Sequence, residues 1–147
     1  MNCSLKITQE DLDHLTKAVF KDLPNENGAF LLAGSRTHSE GVEVLIRRVI
    51  EIPKEDFKVQ QKTRLEISSR AINGLIALCE ANNLGAVLCH SHPEPWSYSQ
   101  SDDFGEERIL NTLRSFLPAA PTASLLAFPS GYSGRYWTEK GHSPLAM

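Results

Sequence analysis

The sequence predicts a single α/β domain, residues 1–147, with a mixed central β-sheet flanked by helices. Segments with helical spacing of apolar residues alternate with short apolar runs, in the order helix, two strands, helix, strand, helix, two strands. The length of 147 residues is typical of one domain. A content of 41% hydrophobic and 22% charged residues is ordinary for a globular protein and argues against disorder.

The first third of the chain predicts a helix followed by a hairpin. Thr8 is placed to cap the helix, which ends at Pro24-Asn25. Its apolar face is formed by Leu12, Leu15, Val19 and Leu23. Residues 28–34 form a short apolar run that predicts a buried strand, and residues 41–52 predict a second strand. We expect these strands to form a hairpin across residues 35–40, and residues 54–64 to form a solvated loop.

The remaining elements follow from the same patterns. Residues 68–82 predict a second helix, and the apolar run 85–89 predicts a central strand that leads into His90. A third helix is expected to begin at Asp102 or Asp103. Its inward residues are Ile109, Leu110, Leu113, Phe116 and Leu117. Residues 122–128 and 132–138 predict two strands joined by a turn, and we expect the tail 141–147 to be loose.

Charge and hydropathy exclude several classes of function. The net charge of −3 and the absence of a long basic run argue against nucleic-acid binding. No apolar stretch approaches the ~18 residues that a membrane span needs. The N-terminus lacks the basic and apolar regions of a signal peptide. Three cysteines without metal-finger spacing suit a reducing compartment, so we expect a cytoplasmic protein that binds neither membrane nor nucleic acid.

The residues from position 90 to position 102 carry the chemistry. His90 and His92 stand at the end of a predicted strand, where side chains two positions apart point the same way. Asp102 follows ten residues after His92, at a predicted helix start. Two imidazoles and one carboxylate leave one tetrahedral position of a zinc ion open, which is typical of a catalytic site. We therefore predict one Zn²⁺ per chain, held by His90, His92 and Asp102.

This pattern resembles the motif of the JAMM (MPN-type) metallopeptidases. The matching residues are His90-Ser91-His92-Pro93 and Ser99-Gln100-Ser101-Asp102. The resemblance covers most of the chain and implies a cytidine-deaminase-like MPN/JAMM fold. It also implies that the two histidines and the aspartate hold zinc and that Ser99 stabilises the oxyanion. A glutamate ahead of the first apolar strand serves as general base in this family, which assigns that role to Glu26.

Two points in this assignment stay open. The family usually has one more residue between the second histidine and the serine. With that spacing Asp103 would be the ligand and Gln100 would replace the serine, whereas Asp102 and Ser99 keep the Ser-x-x-Asp unit intact. Glu26 could also be an ordinary turn residue. Its rivals as the base are weaker, because none precedes the first apolar strand: Glu43, Glu51 and Glu66.

Other polar and reactive residues near the motif are predicted to be structural. On a strand Cys89 and Ser91 face away from the histidines, so Cys89 is expected to be a core thiol. The scattered His14, His38 and His142 are expected at the surface. Trp96 and Tyr98 could contact a substrate tail or pack the loop, and the sequence does not separate these roles.

The resemblance implies a zinc-dependent isopeptidase or peptidase, that is, a deubiquitinase-like hydrolase acting at the C-terminus of ubiquitin or a ubiquitin-like modifier. The small size is similar to that of the prokaryotic branch, which is linked to phage-defence and sulfur-carrier pathways. The resemblance to this branch implies that an adenylyltransferase of the ubiquitin-activating type is a partner of this chain or is fused to it. In the case of a fusion, this chain would be a fragment of the longer protein. The alternatives are a non-catalytic MPN-type scaffold and a peptidase acting on a sulfur-carrier protein.

Overall fold

A computed structural model describes residues 2–93 and 100–147, with side chains described for 2–93 and 105–147. The helices within these ranges are α1 (Gln9–Phe20), α2 (Ser69–Asn82) and α3 (Gln100–Phe116), with a 3₁₀ turn at Lys54–Asp56. The strands are β1 (Asn2–Lys6), β2 (Gly28–His38), β3 (Gly41–Glu51), β4 (Phe57–Gln60), β5 (Leu65–Ile67), β6 (Gly85–Ser91), β7 (Thr122–Phe128), β8 (Gly131–Thr138) and β9 (Gly141–Leu145).

Seven of the strands form one mixed sheet in the order β1-β3-β2-β6-β7-β8-β9. The pairs β1–β3 and β6–β7 are parallel, and the other pairs are antiparallel. The two ends of the sheet meet, because the Leu5 amide donates to the Ala146 carbonyl at 2.7 Å and the Ala146 amide donates to Cys3 at 3.0 Å. The sheet is thus a nearly closed barrel, and the predicted α/β class with a mixed sheet is confirmed.

The two faces of the sheet bury separate apolar clusters. On one face, Leu15 and Val19 of α1 pack with Leu31 and Leu125 of the sheet. On the other face, α2 and α3 pack over β2, β6 and β8, with a core that includes Phe30, Leu75, Leu88, Leu110 and Trp137. The alternation of side chains along β6 therefore sends Cys89 to the α1 face and Leu88 to the face covered by α2 and α3.

The predicted helices are present, with errors at their ends. Thr8 caps α1 by accepting a hydrogen bond from the Asp11 amide at 3.2 Å. That helix stops at Phe20, so Leu23 lies beyond it with 57% of its surface exposed, and its predicted core role is wrong. Helix α3 begins at Gln100, before Asp102. Phe116, predicted to face inward, is also 57% exposed.

Four of the strands were not predicted from the sequence, namely β1, β4, β5 and β9. Residues 54–64, predicted to be a solvated loop, contain the 3₁₀ turn and β4, and the tail predicted to be loose contains β9. The first hairpin was also longer than expected, because β2 continues to His38. By contrast, β7 spans the predicted residues.

Within the described residues, no helix combines the length and the apolar character needed to cross a membrane.

Candidate metal centre

The pairing of β2 with β6 brings the predicted site residues together. Gly28, the first residue of β2, lies opposite His90 near the end of β6. Because these strands are antiparallel, the chain that precedes β2 runs beside the chain that follows His90. Glu26 therefore lies next to His90 and His92, although more than 60 residues separate them along the chain.

The three side chains converge on one point. The two histidine Nε2 atoms are 3.2 Å apart, and the His92 Nε2 is 3.9 Å from Glu26 Oε2. One ligating atom from each of the three residues lies within 4.8 Å of the others. Glu26 is 3% exposed and His92 is 2% exposed, whereas His90 is half-buried and so connects the cluster to the surface.

The donor set fits a zinc ion. Zinc prefers imidazole nitrogen and carboxylate oxygen, and with Zn–N bonds of about 2.0–2.1 Å a tetrahedral site separates two nitrogens by about 3.3 Å. The Nε2 separation of 3.2 Å between His90 and His92 is close to this value. Burying a charged group costs free energy unless the group is paired or binds a metal. A bound metal ion would offset this cost for the buried side chains of the cluster.

The backbone of Glu26 is held by the hairpin of β4 and β5. The Glu26 amide donates to the Gln61 carbonyl at 2.8 Å, and Gln60 Nε2 donates to the Glu26 carbonyl at 3.1 Å. The segment predicted to be a solvated loop therefore orients the proposed base. The segment 54–64 is rich in Lys and Gln, so its local pattern did not indicate this role.

Two further polar residues pack behind the cluster. Ser91 is fully buried and faces away from the histidines towards α1, as the strand alternation predicted. Its neighbour across the strands is Asn27, which is 1% exposed and which the sequence analysis did not single out. The Ser91 amide donates to the Asn27 carbonyl at 2.9 Å, and the Asn27 amide donates to Ser91 Oγ at 3.0 Å.

The third ligand and the oxyanion residue stay predictions. Ser99 lies outside the described residues, as do Trp96 and Tyr98. The backbone of Asp102 lies in the first turn of α3, where that of Asp103 lies too. The side chains at positions 100–104 fall outside the described part of the chain, so the choice between Asp102 with Ser99 and Asp103 with Gln100 stays open.

The rival glutamates lie elsewhere and have other partners. Glu43 pairs with Arg36 and Lys6, Glu51 pairs with His14 and Lys21, and Glu66 pairs with Arg64. None of the three belongs to the histidine cluster among the described residues. Of these four candidates for the base, Glu26 is therefore the one that the fold brings to the histidines.

The other structural predictions near the motif hold. Cys89 is 3% exposed within the core on the α1 side, and burial raises the pKa of its thiol. The three scattered histidines are exposed, as expected: His14, His38 and His142.

A groove of about 630 Å³ has His90 in its lining. Its walls come from the β4–β5 hairpin, from the start of α2 and from α3. The apolar part of the lining consists of Leu65, Ile67, Ile72, Leu88 and Ile109. Lys58, Arg64 and Arg108 are the basic residues along it. The half-buried His90 therefore faces this groove.

A buried ion pair lies beneath α3 on the same side of the sheet as His90. Glu106, which also lines the groove, pairs with Arg135 of β8, and both are less than 10% exposed. Burial raises the pKa of Glu106, although hydrogen bonding with Ser124 and the charges of Arg135 and His90 oppose this change. The polar interior near His90 therefore extends beyond the three site residues.

Comparison with known proteins gives similarity of fold alone. No protein-family profile and no curated protein matches the chain. The solution structure of protein DSY2949 from Desulfitobacterium hafniense is similar with a TM-score of 0.60 and 15% identity, covering 97% of this chain and 90% of that chain. A protein from Salinibacter ruber has a TM-score of 0.45 and 16% identity, covering 96% and 87% of the two chains. At 15% identity, the first similarity concerns the arrangement of helices and strands and not the chemistry.

Proposed function

We propose that the chain is a zinc-dependent peptidase or isopeptidase of the JAMM (MPN-type) kind, with a cytidine-deaminase-like fold. The observation that carries this proposal is the convergence of Glu26, His90 and His92 on one buried point. These are two of the three proposed ligands and the proposed base, and they come from segments far apart in the sequence. The mixed sheet flanked by helices is compatible with this proposal.

The chain's own residues divide the work as follows. His90, His92 and Asp102 would hold the ion, which when bound supplies Lewis acidity to activate water and polarise the substrate carbonyl. Glu26 accepts a proton from the attacking water and returns it to the leaving amine. Ser99 donates a hydrogen bond to the oxyanion. The burial of Glu26 keeps bulk water from competing for its carboxylate.

The proposed substrate is a conjugate of ubiquitin or a ubiquitin-like modifier, cleaved after the modifier's C-terminal residue. An extended C-terminal tail would lie in the groove that His90 lines, with its carbonyl beside the two histidines. A sulfur-carrier protein with a similar tail would use the same groove. An adenylyltransferase of the ubiquitin-activating type is the proposed partner, because it acts on the same C-terminus.

The first test is the metal content of the purified protein. We expect close to one zinc per chain in the wild type, and loss of zinc in His92→Ala because one of the ligands is removed. The matched control is His142→Ala, an exposed histidine on β9 that should leave the zinc content unchanged. A folded wild type without zinc would favour a non-catalytic scaffold. Full zinc in His92→Ala would refute the ligand set.

The second test separates the base from the ligands. We expect Glu26→Gln to keep zinc and to lower cleavage of a ubiquitin or ubiquitin-like fusion by at least about 10²-fold, since general acid–base catalysis contributes about 10²–10⁴-fold. A chelator should abolish the activity of the wild type. Loss of zinc in Glu26→Gln would make Glu26 a ligand instead of the base, and full activity would remove it from the mechanism.

A further inference from the structure

Two buried polar residues are next to the proposed base and the proposed ligands in the sequence. Asn27 follows Glu26 directly, and Ser91 separates His90 from His92. Asn27 is 1% exposed and Ser91 has no exposed surface. Glu26 is joined to Asn27 by a peptide bond, and His90 and His92 are joined in the same way to Ser91. The relative position of Asn27 and Ser91 therefore limits the relative position of the three converging side chains.

Two reciprocal hydrogen bonds join Asn27 and Ser91, and we call this pair the Asn27–Ser91 clamp. A third, longer hydrogen bond runs from Ser91 Oγ to the Asn27 carbonyl at 3.3 Å. The Ser91 amide donates to the Asn27 carbonyl at 2.9 Å, as in a strand pair. The Asn27 amide donates to the Ser91 hydroxyl at 3.0 Å. The second bond joins a backbone amide to a side-chain hydroxyl, so it depends on the residue at position 91. An alanine at this position would remove it.

The clamp is anchored to the segment around the end of α1. Ser91 Oγ donates to the Val19 carbonyl at 2.6 Å. The side-chain nitrogen of Asn27, Nδ2, donates to the Ala18 carbonyl at 3.2 Å and to Asp22 Oδ2 at 2.7 Å. The side-chain oxygen, Oδ1, accepts from the Gly28 backbone amide at 2.8 Å. The hydroxyl proton and both amide protons are thus used, which fixes the rotamers of both side chains.

Stability alone does not account for a polar pair at these positions. The residues that follow Asn27 in β2 and precede His90 in β6 are mostly apolar and buried, and they pack without side-chain hydrogen bonds. Replacing both members of a buried hydrogen bond with apolar groups of similar shape is often nearly neutral for stability. The hydrogen bonds restrict the relative orientation of the two residues, because a hydrogen bond forms over a narrow range of distances and angles. Apolar contacts tolerate a wider range.

We propose that Asn27 and Ser91 are positioning residues that set the separation between the Glu26 carboxylate and the imidazoles of His90 and His92. The catalytic meaning of the clamp rests on the proposed function. Its effect on the ligands is independent of any substrate, because the two histidines flank Ser91 directly.

The test is Ser91→Ala compared with Thr122→Val. Thr122 is likewise buried, at 2% exposure, and it donates to the Trp137 carbonyl at 3.1 Å. It lies four residues along β7 from Leu126, the strand neighbour of His90. Both variants lose a buried hydroxyl and should lower Tm, but only Ser91→Ala removes a clamp bond. The probes are zinc, titrated against a chelator of known affinity, and cobalt(II), whose visible spectrum reports ligand geometry.

We expect Ser91→Ala to bind zinc at least 10-fold more weakly and to change the cobalt spectrum, because residues that orient metal ligands contribute about 10–100-fold to affinity. Thr122→Val should stay within twofold of the wild type with an unchanged spectrum. If Ser91→Ala fails to fold, Asp22→Ala takes its place, since Asp22 is only half-buried and anchors Asn27 from outside. It should weaken zinc binding by a smaller factor.

The outcomes separate this inference from the proposed function. A wild type that binds zinc, with Ser91→Ala and Asp22→Ala binding it equally tightly and with the same cobalt spectrum, would overturn the clamp and leave the peptidase proposal standing. Equal weakening in Ser91→Ala and Thr122→Val would show a general loss of stability and would also overturn it. A wild-type protein that binds no zinc would overturn both the clamp and the peptidase proposal.

Discussion

Cys89 and His90 are neighbours in β6 with opposite surroundings. Strand alternation sends the thiol into the core on the α1 side and the imidazole to the groove. Burial raises the pKa of the Cys89 thiol, and it raises the pKa of Cys79 to about 11. Because the thiolate is the reactive form of cysteine, both residues should be unreactive despite the position of Cys89 beside a proposed metal ligand.

We therefore expect the native protein to resist alkylation by iodoacetamide at pH 8. With a pKa of about 11, roughly one Cys79 thiol in a thousand is ionised at that pH, against about a quarter for an ordinary thiol. Mass spectrometry should find Cys79 and Cys89 unmodified in buffer and all three cysteines modified in urea. Rapid labelling of native Cys89 would place its thiol at the site and would contradict the orientation of β6.

At the same scale, the sequence predicted the residues whose role depends on local pattern. The histidine pair His90 and His92, and the burial of Cys89 and Ser91 on the opposite, α1 side of the sheet, follow from period-two alternation. Glu26 needed the family resemblance, and its position beside the histidines depends on long-range strand pairing. Asn27 was missed because a polar residue before a strand usually marks a turn, and its burial depends on contacts with α1.

The β4–β5 hairpin is the element that contributes most to the site beyond the main sheet. Gln60 and Gln61 hold the backbone of Glu26, and Leu65 and Ile67 line the groove. If the groove carries the substrate, an obstruction on its opposite wall should interfere with substrate binding and leave the metal centre alone.

Asn73 in α2 offers such an obstruction, because it lines the groove and is exposed. We expect Asn73→Trp to raise KM for a ubiquitin-like fusion by about 10-fold, which corresponds to about 1.4 kcal/mol of lost binding, with an unchanged zinc content. Steady-state kinetics measure the change. Glu80→Trp is the control, since Glu80 is exposed on the same helix outside the groove. An equal KM in both variants would place the substrate elsewhere.

Elements with a strong internal pattern were predicted, and short strands that depend on pairing with another strand were not. The helices carry caps and apolar faces, and β7 is a run of small and apolar residues between Pro121 and Pro129. β1 and β9 are short and largely polar, and they are stabilised by pairing with β3 and β8. No local rule distinguishes such segments from a loose terminus, because the free energy that orders them comes from the neighbouring strand.

At the scale of the whole molecule, the closure of the sheet depends on its two end strands. β1 and β9 lie at opposite ends of the strand order, yet Ala146 joins them through hydrogen bonds to Cys3 and Leu5. Leu145 is 5% exposed and packs in the core on the α1 side. Pairing at this seam covers strand edges that would otherwise present unpaired backbone groups to other molecules.

Deleting residues 141–147 should therefore open the barrel and destabilise the whole fold. Loss of the buried Leu145 side chain alone should cost about 2–5 kcal/mol, and the exposed edges of β1 and β8 should promote association. Urea unfolding and size-exclusion chromatography measure the two effects. Deleting only Met147, which is 51% exposed, is the control and should change neither.

The site lies between β2 and β6, three strands from β9, so any truncated protein that stays folded should still bind zinc. An unchanged urea midpoint would show that β9 contributes nothing to closure, and the barrel would then be held by β1 and the central strands alone.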